Sequence, residues 1–186
     1  MFDHFELLAP HYERLIGPPS ADHWKKLLDL PATGRLLDVG GGTGRVSAQL
    51  APFVDAVILC DPATQMLRQA QMKCVVVPAL GYSEQLPFAD NSFEHIIVVD
   101  ALHHFIDHRA AVHDMVRVLK PGGRLVIEEP DLNLQKVKVL AVMEKMALMR
   151  SKFYYPHEIK QMAVEVGASA EITTDGKFAA WIAITK

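Results

Sequence analysis

The join between Leu36-Leu37-Asp38-Val39 and Gly40-Gly41-Gly42-Thr43-Gly44 constrains this chain more than any other stretch, because an apolar run carrying one acid passes straight into a glycine-rich turn. Glycine admits φ > 0 and carries no Cβ, so the backbone can bend sharply there and be approached closely. Val46, Ala48, Gln49 and Leu50 then read as a short helix whose first N–H groups face the same space. A second apolar run, Ala56–Cys60, ends at Asp61. In a parallel α/β sheet, two neighbouring strands would therefore end side by side, one in the glycine turn and one in a carboxylate. A ribose diol is the natural partner of such a carboxylate, which makes this a nucleoside-binding pattern.

The remaining composition narrows the setting. With 186 residues, half of them hydrophobic, the chain can bury a substantial core as a single domain spanning residues 1–186. A formal net charge of −3 and the absence of any Lys/Arg-rich run argue against disorder and against nucleic acid as a partner. Met1 to Glu6 shows neither the basic nor the apolar region of a signal peptide, and no apolar run approaches the ~20 residues needed to span a bilayer. Cys60 and Cys74 each adjoin a strand-like run, so both are expected as buried, reduced thiols. A cytoplasmic protein is the expectation.

Strand-like runs alternate with helical ones. Arg35–Val39, Ala56–Cys60, Cys74–Val77, His95–Val99 and Arg124–Glu128 are near-continuously apolar, as expected of strands covered on both faces. Pro62, Met66, Leu67 and Ala70 mark one helix, and Val112, Met115, Val116 and Leu119 another. The second is expected to start at Asp107 as N-cap and to stop at Lys120-Pro121-Gly122-Gly123, followed by a turn. After Pro130 a long amphipathic stretch runs from Leu132 to Arg150 with Met143, Met146 and Met149 along it. Phe153-Tyr154-Tyr155-Pro156 breaks it, and a helix with Ile159, Met162, Ala163 and Val166 follows. Ala170–Thr173 and Phe178–Thr185 flank Asp175-Gly176, the signature of a hairpin closing the sheet.

Spacing limits what the glycine turn can hold. From Gly40, a dinucleotide fingerprint would place its third glycine at Arg45, and no Gly-Lys-Ser/Thr follows for a phosphate loop. The pattern present is acid-x-Gly-x-Gly-x-Gly with the next acid at Asp61. It resembles motif I of the class I S-adenosylmethionine-dependent methyltransferases. Gly81-Tyr82-Ser83-Glu84-Gln85-Leu86-Pro87-Phe88, Asn91-Ser92-Phe93-Glu94, Leu102-His103-His104 and Leu119-Lys120-Pro121-Gly122-Gly123 look like the later motifs of that family, in order. The subgroup they resemble is the ubiquinone- and menaquinone-biosynthesis-like set (methyltransferase type 11). Phe2-Asp3 and Ala9-Pro10-His11-Tyr12 are similar to its N-terminal segment.

The resemblance implies a Rossmann-like, doubly wound α/β sheet of seven strands, mostly parallel with a C-terminal antiparallel hairpin. It implies an N-terminal helical segment over residues 1–30 and a variable, substrate-side segment over 131–156. S-adenosyl-L-methionine is the implied cofactor. Asp38, Gly40, Gly41, Gly42 and Gly44 would form the loop beneath it. Asp61, followed by Pro62, would take the ribose hydroxyls, and Met66 would cover the adenine. Ser83 and Glu84 would lie near the adenine edge, with Asp100 and His103 beside the methionine end as candidate catalytic residues. The subgroup often has Gly-Asp-Ala-Glu where this chain has Gly81-Tyr82-Ser83-Glu84, so adenine recognition here must use Ser83 or backbone groups, or be weaker.

Plainer readings stand beside these. Asp61-Pro62 also reads as a helix N-cap with proline at N1, and Asp38 as a residue that bonds loop amides. His103, His104, His108 and His113 lack the spacing and partners of a metal site. The methionine stripe reads as core or as a dimer face, leaving monomer and homodimer both open. Tyr12, Asp100, His103, Glu128, Glu129 and Tyr154 are the candidates for the acceptor side. Methyl transfer to a small, partly apolar acceptor is the leading expectation, and a non-catalytic S-adenosylmethionine- or S-adenosylhomocysteine-binding module the alternative. An NAD-dependent oxidoreductase is disfavoured by the glycine spacing.

Overall fold

A computed structural model describes residues 21–146 and 151–186 of the chain. Its centre is a seven-stranded sheet of order β3-β2-β1-β4-β5-β7-β6. The strands are β1 (Arg35–Val39), β2 (Ala56–Asp61), β3 (Val77–Leu80), β4 (Phe93–Val99), β5 (Leu119–Pro130), β6 (Ser169–Thr174) and β7 (Ala179–Thr185). The first five pair in parallel, while β7 lies antiparallel between β5 and β6. The helices are α1 (Ala21–Leu27), α2 (Ser47–Leu50), α3 (Thr64–Gln71), α4 (His108–Val118), α5 (Gln135–Met146) and α6 (Pro156–Val164). The expected α/β architecture is therefore present, hairpin included.

Strand pleating explains the apolar runs. Successive residues point to opposite faces, and here both faces are covered. Leu37, Ile96, Leu125 and Ile182 pack with Val112 and Met115 of α4 and Ile159 and Met162 of α6. Leu36, Ile97 and Val126 face the other way, onto Trp24 of α1, Leu50 of α2 and Leu67 of α3. Burial of each large side chain contributes roughly 1.5–3 kcal/mol, and a polar residue on either face would lose that. Two local signals are as expected at helix starts. The Asp107 side chain accepts from the Ala110 amide at 3.0 Å as N-cap of α4. At α6, Pro156 sits in the first turn and Glu158 returns to the Tyr155 amide at 2.8 Å.

Three segments differ from expectation. The third strand begins at Val77, not Cys74. Cys74 has φ +59 and donates its amide to Gln71 O, which continues the turn that ends α3, so the chain extends only afterwards. Pro78 is tolerated inside β3 because this strand is the edge of the sheet. Cys74 is consequently exposed, while Cys60 is buried. Lys120–Gly123 is likewise not a turn but an irregularity within β5. Leu119 already pairs with Phe93, and pairing resumes at His95 with Arg124. A methyl on Gly123 would lie 2.8 Å from the Lys120 carbonyl, so the doubled glycine makes this bulge feasible. Finally, α5 buries Val137 but leaves Val139, Val142 and Met143 exposed, so this part of the apolar stripe is not core. Of the expected helical stretch the structure describes Gln135–Met146 as helix, and the expectations for residues 1–20, including Tyr12, and for 147–150, including Met149, lie outside the described residues.

Chain order sets the position of the site. β1 has β2 on one side and β4 on the other, so the chain winds outward from β1 to β3 and then crosses back to β4 and on in the opposite direction. Ligands of doubly wound sheets bind in the crevice at the carboxyl ends of such strands. The glycine turn follows β1, Asp61 closes β2 and Asp100 follows β4.

Candidate functional site

The glycine turn is built from left-handed residues, with φ +67 at Gly40, +55 at Gly42 and +72 at Gly44. Gly40 donates to Cys60 O, so the turn starts as an extension of the β1–β2 ladder. Gly41 is glycine for space, since an added Cβ would lie 2.5 Å from the Asp38 carboxyl and 2.8 Å from Leu59. At Gly42 the opposite holds: among the described residues only the Met66 sulfur, at 3.8 Å, comes within 4 Å of such a carbon. This is an open cradle over a sharply bent backbone.

Two carboxylates support the cradle. Asp61 Oδ2 accepts from the Gly42 amide at 2.9 Å and Oδ1 from the Ala63 amide at 2.8 Å. Asp61 is thus not the N-cap of α3, a place taken by Ala63. It ties the turn to the start of that helix. Asp38 is buried, and its Oδ1 has no hydrogen-bond partner among the described residues. Burial pushes its carboxyl up to about 7, while the Ser47 hydroxyl opposes the rise and Asp61 adds to it. A buried acid left short of partners at the floor of a cradle suits a cationic ligand.

Around the third strand the structure separates the candidates. Ser83 is buried and Tyr82 is exposed. Glu84 Oε1 accepts from the Ile106 and Asp107 amides at 2.8 and 3.2 Å, so it grips the loop after β4. Met66 lies buried beside Gly42.

On the other side, a cavity of about 280 Å³ is lined by Arg45, Asp100, Glu128, Glu129, Pro130, Phe178 and Ala179. Asp100 holds φ +52 and donates its amide to Glu128 O. Burial raises the Glu128 carboxyl, which the Trp181 indole N–H opposes and Asp100 reinforces. His103 is only 3% exposed, and its ring is not part of the cavity wall. Its Nδ1 lies 2.6 Å from Glu129 Oε2, and Phe153 stacks on it at 4.5 Å. Tyr154 packs on His108, away from the cavity lining. Burial pushes His104 down to about 3, with His103 adding to the effect. Among the described residues no group of three or more His, Cys, Asp or Glu side chains is placed to hold a metal ion.

Sequence reasoning missed Arg45, Pro130, Phe178 and Ala179. Arg45 follows Gly44 directly and was legible as part of the turn. Phe178 and Ala179 reach the site only because β7 inserts beside β5, pairing Ala179 with Pro130.

The comparisons agree with this geometry. A family model described as a methyltransferase domain matches residues 37–127. The chain is 32% identical over 136 residues to a demethylmenaquinone methyltransferase of Paenarthrobacter aurescens, a match covering 67% of this chain and 53% of that protein. The crystal structure of the YcgJ protein of Bacillus subtilis superposes with a TM-score of 0.74 at 27% identity, over 83% of this chain and 70% of that one. A methyltransferase solved with its Trm112 activator from Haloferax volcanii shares the fold, with a TM-score of 0.80 at 16% identity over 100% and 98% of the two chains. Fold, glycine turn and matches define a methyltransferase domain of the S-adenosylmethionine-dependent class. Residues 37–127 match the type 11 form of that domain. It spans about half the length of the curated relatives it matches. No described helix is long and apolar enough to cross a membrane.

Proposed function

We propose that this chain transfers a methyl group from S-adenosylmethionine to a small, partly apolar acceptor. The observation that carries the reading is the open cradle at Gly42, flanked by the buried Asp38 carboxyl and by Asp61 at the next strand end. When bound, S-adenosylmethionine supplies an electrophilic methyl on a positively charged sulfur. Gly40, Gly41, Gly42 and Gly44 then admit the cofactor against the backbone, and Asp61, at the end of the neighbouring strand, holds the ribose hydroxyls. Asp38 gives the cradle the negative charge that a sulfonium and an ammonium group favour. Pro62 and Met66 shape the adenine side, and Ser83 lies buried near it. Glu84 acts there indirectly, by holding residues 106 and 107.

The protein's main task in such a displacement is alignment and exclusion of water. The cavity beside Asp100 offers an apolar wall of Pro130, Phe178 and Ala179 and a polar one of Arg45, Asp100 and Glu128. Asp100 is the residue we assign to the acceptor side. Glu128, whose carboxyl burial raises, is placed to take a proton from an acceptor hydroxyl or amine. His103 is assigned to holding the loop.

Calorimetry with S-adenosylmethionine, S-adenosylhomocysteine and NADH, paired with an assay of S-adenosylhomocysteine release over hydroquinones, phenols and aliphatic amines, tests this. Because one relative is named a demethylmenaquinone methyltransferase, a naphthohydroquinone leads the panel. Binding of the first two ligands with release on at least one acceptor is expected. Binding without release on any of them supports a non-catalytic binding module, and NADH binding alone overturns the assignment.

A further inference from the structure

We propose that Glu129 is a positioning residue for methyl transfer, holding the Asp100–His104 turn and, through His103, the segment 151–154 against the cofactor cradle. The inference rests on the methyltransferase reading above, because it concerns what the turn positions.

The Glu129 carboxylate, 4% exposed, stands at the carboxyl end of β5. Its Oε1 accepts from the amides of Ala101 and Leu102 at 3.1 and 2.8 Å, and its Oε2 meets His103 Nδ1 at 2.6 Å. All three partners belong to the turn that begins with Asp100, a non-glycine residue in the left-handed region. Such a conformation persists only where its surroundings enforce it. Glu84 grips the far end of the same loop at Ile106 and Asp107.

The turn touches both halves of the site. A methyl on Gly40 would come within 3.0 Å of Ala101 Cβ and of the Phe105 ring, so the turn packs directly on the glycine cradle. On the outside, His103 O accepts from the Lys152 amide at 2.8 Å, and the Phe153 ring lies on the His103 ring with 13° between their planes. His104 Nδ1 and Ser151 Oγ, 3.2 Å apart, add a second link to the segment after α5. One buried carboxylate thus sits where the cradle, Asp100 and residues 151–154 meet.

Chemistry makes the glutamate hard to replace. A carboxylate only accepts, and each oxygen can serve two donors, so it satisfies all three partners at once. The glutamine amide of Glu129→Gln matches the shape but turns one acceptor into a donor, and at least one donor in the turn loses its partner. His103→Gln keeps a donor near Glu129 but removes the ring on which Phe153 rests.

The test reads amide hydrogen exchange, the proton spectrum and S-adenosylhomocysteine binding for wild type, Glu129→Gln and His103→Gln. Wild type is expected to show a far-downfield His103 Nδ1–H resonance that Glu129→Gln loses. In that variant exchange at 101–104 and at Lys152 rises at least ten-fold, while Ile96–Val98 stay protected and the affinity for S-adenosylhomocysteine stays within a few-fold. With any acceptor that turns over in the panel above, kcat falls and KM for S-adenosylmethionine holds. His103→Gln is expected to expose Lys152 while leaving Ala101 and Leu102 protected, which carries the test if Glu129→Gln does not fold. Unchanged exchange at Lys152 in both variants, or an unchanged kcat in Glu129→Gln, overturns the inference. Failure of wild type to bind S-adenosylhomocysteine instead overturns the functional reading on which it rests.

Discussion

Gly42 donates its amide to Asp61 Oδ2 at 2.9 Å, so the turn after β1 and the last residue of β2 share one hydrogen bond. The same carboxylate also holds the Ala63 amide, which places it between the cradle and the first turn of α3. Its chemistry leads to the first prediction.

Asp61→Asn keeps the shape and removes the charge. Hydrogen bonds to charged groups are worth about 1.5–3 kcal/mol, so S-adenosylmethionine affinity is expected to fall at least ten-fold with a modest loss of thermal stability. Titration calorimetry and a melting curve check both. Affinity within two-fold of wild type would remove Asp61 from ribose binding.

The two glycines at the centre of the turn should fail differently. Gly41→Ala places a methyl 2.5 Å from the Asp38 carboxyl, so overpacking is expected to cost about 1–3 kcal/mol of stability. Gly42→Ala meets no atom of the described residues closer than 3.8 Å, and its left-handed backbone costs about 1–2 kcal/mol. Its methyl fills the cradle, however, so its affinity loss should exceed its stability loss. Denaturant titrations beside calorimetry separate the two, and equal affinity losses would argue against an open cradle.

Asp38 gives a pH dependence of definite sign. Its carboxyl rises from 3.8 to about 7 in the folded chain. Below 3.8 both states are protonated and its contribution is fully present. Between the two values the unfolded chain ionises first, so this contribution is lost as pH rises. His104 acts oppositely: its fall from 6.5 to about 3 makes stability decrease as pH drops through that window. Asp38→Asn should therefore abolish the loss on raising pH and leave the acid-side loss from His104. Urea unfolding at a series of pH values reads this out, and an identical pH slope in the variant would contradict it. A cationic cofactor should also lower the Asp38 value, so binding near pH 6 should release a proton, detectable as calorimetric heats that differ between buffers.

The thiols provide a fourth check. Cys74 is exposed, whereas burial pushes the Cys60 thiol up to about 12 with Asp61 and Asp38 adding to the effect. A thiol reagent should modify Cys74 in the native protein and reach Cys60 only on unfolding. Rapid native labelling of Cys60 would contradict the packing at the base of the cradle.

Much of this was legible because it is local. The β1 run, the glycine turn and the Asp107 cap write their conformations into adjacent residues, and the alternation of Leu36 and Leu37 follows from pleating. Where the reading slipped, the deciding partner was distant. The third strand was expected at Cys74–Val77 and pairs with β2 only from Val77 onward, and Lys120–Gly123 read as a turn because the pairing of Leu119 with Phe93 is a long-range fact. Glu84 also holds residues 106 and 107, a contact across the sheet that its motif does not announce. Phe178 entered the site through the register of β7, which no local spacing encodes.

That register has a consequence for how the protein is made. β7 is the last strand in chain order, yet it lies inside the sheet between β5 and β6. A growing chain can assemble β1 to β5 early, but β5 keeps an open edge and Pro130 waits for Ala179 until residues 179–185 have been synthesised. Contacts of such long sequence separation form late, and open edges recruit other chains in the meantime. Synthesis interrupted at the Asp175-Gly176 turn would leave a nearly complete methyltransferase sheet with a sticky flank, a hazard that the final seven-residue strand removes.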